Sequence, residues 1–189
     1  MKVVTLTEDV FKNCCRQLAD IIYEDGFSYD CMVGIANGGV YVAREMAGGA
    51  GVPLYYVKLQ RRTTGLKNKV LRKIICKLPL IMNNRLRIIE SHVVGCISCL
   101  SGHKTKKVEI TTELKDAICN GAKNVLLVDD AVDSGQTLQS VKAAIEGICP
   151  HITVRTAVIT VTRENALGLA DYRLFQDCTI VRFPWSLDA

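Results

Sequence analysis

The stretch from Asn124 to Leu138, NVLLVDDAVDSGQTL, leaves a chain few ways to fold. Val125 to Val128 form an apolar run too short for a helix of its own, and they end abruptly in two aspartates. Such a run reads as a strand buried on both faces. After Ser-Gly-Gln the pattern changes to helical spacing in TLQSVKAAIEGI, 137–148. A buried strand, an acidic loop and a helix in that order are one half of a parallel βα unit, so the chain must supply further strands on either side.

It does. Thr7 is placed to cap a helix running to about Glu24, with Val10, Cys14, Leu18, Ile21 and Ile22 on one face and Gly26 as its stop. DCMVGIA (30–36) reads as a buried strand entering a tight turn at NGG. GVYVAREMA follows as a helix, closed by the glycines of 48–51, and PLYYVKLQ (53–60) is a second strand. TTELKDAICNG (111–121) is a short helix with Thr111 or Thr112 as cap and Gly121 as stop, and ITVRTAVITV (152–161) is another strand. The expectation is one α/β domain spanning 1–189, with a mostly parallel sheet flanked by helices. A chain of 189 residues, 49% of them apolar, fills one such domain, whereas two would be cramped.

Charge is unevenly distributed. The net charge is +5, yet Lys58 to Lys107 carries 13 Lys and Arg against the single acid Glu90. The rest holds 11 basic and 18 acidic residues, so an acidic body bears one basic segment. No apolar run approaches the roughly 18–20 residues that span a bilayer, and the N-terminal MKVVTLTEDVFKN lacks the layout of a signal peptide. Nine cysteines, an odd number without an export signal, are expected to be reduced thiols in a cytoplasmic protein.

The acidic loop has a chemical logic. Ligands of open parallel sheets sit beyond the carboxyl ends of the strands, which is where Asp129 and its successors in the chain are expected. Backbone N–H groups before a helix, together with its dipole, favour an anion. The dipole contributes about 0.3–1 kcal/mol at exposed sites, so converging N–H donors must do most of the holding. Ser134 and Thr137 add hydroxyls and Gly135 admits a close backbone approach, which suits a phosphate monoester. Asp129 and Asp130 would repel that phosphate, so they must serve another part of the ligand: carboxylates accept from hydroxyls and bind Mg²⁺. A phosphorylated sugar with vicinal hydroxyls satisfies both, with Asp133 beside its reacting end.

VLLVDDAVDSGQT resembles the phosphoribosyl-pyrophosphate signature of the type I phosphoribosyltransferases, and VGIANGG resembles their first-strand loop. The family fold, a parallel sheet core with a flexible loop and a C-terminal hood, matches the element order over roughly 1–60 and 108–189, with the hood at about 162–189. The resemblance implies that Asp129 and Asp130 hold the ribose hydroxyls, directly or through Mg²⁺. It implies that Asp133, Ser134, Gly135, Gln136 and Thr137 line the 5′-phosphate loop, and that Asn37, Gly38 and Gly39 contact the pyrophosphate, a strained peptide bond being one way to present them. The reaction would be displacement of pyrophosphate from C1 by a base nitrogen, with Asp133 near the base assisting proton transfer. Phosphoribosyl pyrophosphate and a nucleobase are the expected partners, and a homodimer is common in the family.

The tail DYRLFQDCTIVRFPWSLDA resembles the hood of the hypoxanthine, guanine and xanthine members, which points to a 6-oxopurine acceptor. Those members carry a Lys after the strand matching AVITV, where this chain has Thr162 or Arg163, and an aromatic where it has Ile180. Arg163 and Ile180 are therefore the candidate base-facing residues. Phe175, Phe183 and Trp185 are alternative stacking partners or simply hood core.

Residues 61–107 are the larger departure, because the family's flexible loop is usually much shorter. Apolar residues alternating with Lys and Arg suggest one or two basic amphipathic helices, for packing or dimer formation, for a polyanion, or for a membrane surface. Absence of aromatics there argues against base stacking. His92, Cys96, Cys99 and His103 have one zinc-like Cys-x2-Cys knuckle but read equally as part of a half-buried strand. A rival to the enzyme is a non-catalytic sensor of the same fold that binds a nucleotide and uses the basic segment to dock on a partner or nucleic acid. A transferase with a non-purine acceptor is another.

Overall fold

The computed structural model describes residues 2–59 and 108–186. The basic segment 61–107, with its expected helices and its His92/Cys96/Cys99/His103 group, lies outside them. Among the described residues, eight strands and four helices follow in chain order: β1 Lys2–Thr5, α1 Glu8–Glu24, β2 Cys31–Ile35, α2 Gly38–Ala50, β3 Leu54–Leu59, β4 Val108–Glu109, α3 Thr112–Cys119, β5 Asn124–Val132, α4 Gln136–Glu146, β6 Thr153–Val161, β7 Tyr172–Arg173 and β8 Thr179–Arg182. A 3-10 turn, Glu164–Leu169, joins β6 to β7.

Local chemistry sets the helix ends. Thr7 Oγ1 accepts the Val10 N–H to start α1, and Thr111 Oγ1 accepts the Leu114 N–H to start α3. Gly51, at φ 63, closes α2 in the left-handed conformation. The expected turn after β2 is confined to Ala36 and Asn37. Gly38 and Gly39 already lie in its first turn, and the helix continues through Gly48 to Ala50.

Six strands form the main sheet in the order β4-β3-β2-β5-β6-β7, parallel except for the β3–β4 pair. The alternation along β5 divides the core. Leu126 and Val128 join Phe11, Leu18, Val42 and Met46 on the α1–α2 face, while Val125 and Leu127 join Leu114, Leu138, Val141 and Ile145 on the α3–α4 face. Both faces are thus covered, which is why β2 and β5 read as continuous apolar runs. Each fully buried aliphatic side chain contributes about 1.5–3 kcal/mol to that arrangement.

The tail is divided between two sheets. β7 adds to the main sheet beside β6, and β8 pairs in parallel with β1, a strand that no sequence pattern marks. Trp185 is held between Phe183, with ring centroids 4.9 Å apart, and Tyr41, at 4.5 Å, with Phe11 edge-on to it. Phe183 and Trp185 are therefore hood core, fixing the tail onto α1 and α2.

Cys14, Cys15 and Cys31 are buried, and burial pushes the thiol of Cys15 up to about 12 and that of Cys31 to about 11. Cys119 is exposed and Cys149 and Cys178 are partly so. No described helix is long and apolar enough to cross a membrane.

Candidate active site at the β2–β5 crevice

From β2 the chain proceeds to β3 on one side, and later from β5 to β6 on the other, so the strand order reverses between β2 and β5. That is where a doubly wound sheet opens a crevice. Pairing of β2 with β5 ends at Gly34 with Val128, but β5 continues beside β6 as far as Val132 with Val161. Asp129 and Asp130 therefore lie inside a strand that has lost one neighbour, not beyond the strand's end as its apolar run suggests. The extension is set by a partner far away in sequence.

The start of α2 fills the flank that β2 vacates, and its glycines make the approach possible. A Cβ on Gly38 would lie 1.8 Å from Asp130 Oδ2, and one on Gly39 would lie 2.5 Å from the Val128 carbonyl oxygen. At Gly39 the clash is with backbone and leaves no room for a side chain, whereas one at Gly38 would have to displace the Asp130 carboxylate. Gly34 belongs to the same contact, since a Cβ there would come within 3.1 Å of Ala43, Gly39 and Val40. Sequence reasoning passes over Gly34, although a glycine inside a strand pattern is itself a signal of close backbone approach. The Ala36–Asn37 peptide is cis.

Between these elements lies a cleft of about 460 Å³ lined by residues 35–38 and 129–138. Asn37, Gly38, Asp129, Asp130, Asp133, Ser134, Gly135, Gln136 and Thr137 all border it. Gly39 does not; it is buried beneath, against the β5 backbone. Asp129 is nearly buried, at 8% exposure, and its Oδ1 accepts the Asp130 N–H at 2.9 Å. Asp130 Oδ1 likewise accepts the Ala131 N–H at 2.9 Å, so backbone bonds orient both carboxylates. Gly135, at φ 73, is the N-cap of α4, a conformation only glycine adopts at little cost. The first N–H groups of α4 have no acceptor within the helix and border the cleft.

Asp133 is not a bare carboxylate. The Arg163 guanidinium grips it, with Nε on Oδ1 and Nη2 donating to Oδ2 at 3.1 Å, and Thr162 Oγ1 donates to Oδ1 at 2.9 Å. Thr162 and Arg163 thus act together on Asp133. The pairing joins positions about thirty residues apart and has no short-range sequence signal. Ile180 sits elsewhere, 7% exposed in β8 opposite Val3. Among the described residues, no group of three or more His, Cys, Asp or Glu is clustered as a metal site.

Solved structures share this architecture. A purine phosphoribosyltransferase from Pyrococcus horikoshii Ot3 is 19% identical, with 98% of this chain and 95% of that one covered and a TM-score of 0.59. A hypothetical protein from Neisseria gonorrhoeae with bound ppGpp is 20% identical, covering 99% and 91%, also at 0.59. The xanthine-guanine-hypoxanthine phosphoribosyltransferase of Helicobacter pylori is 14% identical, covering 98% and 95%, at 0.56. No curated protein sequence matches the chain. The phosphoribosyl transferase domain, in contrast, matches over residues 6–188, nearly the whole length, and the chain belongs to that family of enzymes.

Proposed function

We propose that the protein transfers the ribose 5-phosphate of phosphoribosyl pyrophosphate to a ring nitrogen of a 6-oxopurine. The C1–oxygen bond to pyrophosphate breaks, a C1–nitrogen bond forms, and the ring nitrogen gives up its proton. The observation that carries this reading is the crevice itself, where two oriented carboxylates and the start of a helix share one cleft of about 460 Å³.

In this reading Asp129 and Asp130 accept from the ribose hydroxyls. Ser134 to Thr137 enclose the 5′-phosphate with backbone N–H groups and hydroxyls, and the Asn37–Gly38 backbone meets the pyrophosphate. Asp133, aligned by Arg163 and Thr162, faces the acceptor and receives its proton as the bond to C1 forms. Two neighbouring carboxylates also fit Mg²⁺, which takes one or two from a protein and completes its shell with water and substrate phosphates. Bound there, the metal would neutralise charge on the departing pyrophosphate.

The purine assignment rests on the tail, whose sequence resembles the hood of the hypoxanthine, guanine and xanthine members. Purified protein with Mg²⁺, phosphoribosyl pyrophosphate and a panel of hypoxanthine, guanine, xanthine, adenine and orotate should release pyrophosphate with an oxopurine. Release with adenine or orotate alone would overturn the acceptor. No release with any base, despite donor binding, would favour the second reading, a nucleotide sensor. That alternative draws on the Neisseria protein, which holds ppGpp on a fold like this one.

A further inference from the structure

The 3-10 turn between β6 and β7 has no part in the proposed transfer, yet it touches the phosphate loop at its most constrained residue. A Cβ built on Gly135 would lie 2.1 Å from Leu169 Cδ1, so the Leu169 side chain occupies the space that any other residue at 135 would fill. Leu169 is only partly buried and packs against the edge of the α3–α4 core.

The bonds around Leu169 fix the stretch of backbone that carries it. Asp171, two residues on, accepts the Thr156 N–H at 2.8 Å and the Thr156 hydroxyl at 2.7 Å, and its own N–H meets Thr156 Oγ1 at 2.9 Å. Lys142 of α4 lies 3.8 Å from the same carboxylate. On the other side Arg173 Nη1 donates to the Leu167 carbonyl at 2.9 Å. The end of the turn is therefore tied to β6, α4 and β7 at once. A wedge so anchored resists displacement of Gly135, whereas the loop's opposite side faces the cleft.

We propose that Leu169 is a positioning residue for the 5′-phosphate of the donor: by backing Gly135 it keeps the N–H groups at the start of α4 converged before ligand arrives. Held donors bind without an ordering cost, and a loop free to recede by a fraction of an ångström loses that advantage. The inference rests on the phosphoribosyl reading of the cleft.

Leu169→Ala should raise KM for phosphoribosyl pyrophosphate about tenfold while kcat stays within about twofold, because the loop grips the phosphate equally in ground and transition states. Leu169→Met, which restores reach to Gly135, should recover most of the affinity. Calorimetry separates this inference from the activity: Leu169→Ala should weaken ribose 5-phosphate about tenfold and leave ribose unchanged, whether or not any base is turned over. Equal loss for ribose and ribose 5-phosphate, or an unchanged KM in Leu169→Ala, would overturn the proposal. If Leu169→Ala does not fold, Leu169→Val provides the same comparison, and a phosphate-independent effect there overturns it equally.

Discussion

Two aspartate–arginine pairs stand at opposite ends of the sheet, and the one at the carboxyl end borders the β2–β5 cleft. At the amino end Asp25, just after α1, accepts from the Tyr172 hydroxyl at 2.6 Å and from Arg155, whose guanidinium lies 4.8 Å over the Phe27 ring. At the carboxyl end Asp133 is gripped by Arg163 and Thr162. The chemistry of the pairs is alike. Their surroundings differ: Asp25 closes a join between α1, β6 and β7, whereas Asp133 adjoins a crevice that glycines hold open. An ion pair alone does not mark a site; the site comes from a strand that outruns its neighbour and from backbone that side chains cannot crowd.

The contrast is broken most directly by exchanging each acid for its amide. Asp133→Asn should lower kcat about 10²-fold, the scale of a lost general base, with the melting temperature little changed. An unaltered kcat would remove Asp133 from the chemistry and make the two pairs equivalent.

Next in size is the glycine cradle. Gly39→Ala would set a methyl 2.5 Å from the Val128 carbonyl, and overpacking of this kind costs about 1–3 kcal/mol. Denaturation should show that loss, and KM for the donor should rise as α2 is pushed from β5. A variant as stable as the parent would mean that the cradle is roomier than its geometry indicates.

The smallest effect belongs to Asp25. The Tyr172 hydroxyl and then Arg155 hold its carboxyl below the ordinary 3.8, and the Asn124 and Lys123 N–H groups do the same for Asp30. A lowered folded value means stability that is fully present above the ordinary carboxylate value and is lost as pH falls through the lowered one. Asp25→Asn should therefore melt slightly lower than the parent at neutral pH, converge with it only once pH falls below the lowered value of Asp25, and keep its kcat. A fall in kcat would contradict the division between the two pairs.

The contrast also explains how much the sequence could reveal. The caps Thr7 and Thr111 and the buried runs of β2 and β5 are local patterns, and each falls in the predicted element. The length of β5 is not local, since it depends on β6 for its last four residues, and so periodicity puts the acids beyond a strand that in fact contains them. Pairing of β1 with β8 joins the two ends of the chain, and Arg163 reaches Asp133 across a helix and a strand. Leu169 likewise meets Gly135 only in the fold. In each case the missing information is which distant partner arrives, and periodicity carries none of it.

The β2–β5 crevice is expected to bind a phosphoribosyl donor through Asp129 and Asp130. Titration of phosphoribosyl pyrophosphate into the wild-type protein and into the Asp129→Asn/Asp130→Asn variant, with and without Mg²⁺, tests it in one experiment. Saturable, magnesium-dependent binding by the wild type, weakened at least about tenfold in the variant, is the expected result, consistent with two lost charge-assisted contacts. Equal affinity in the two proteins would contradict it.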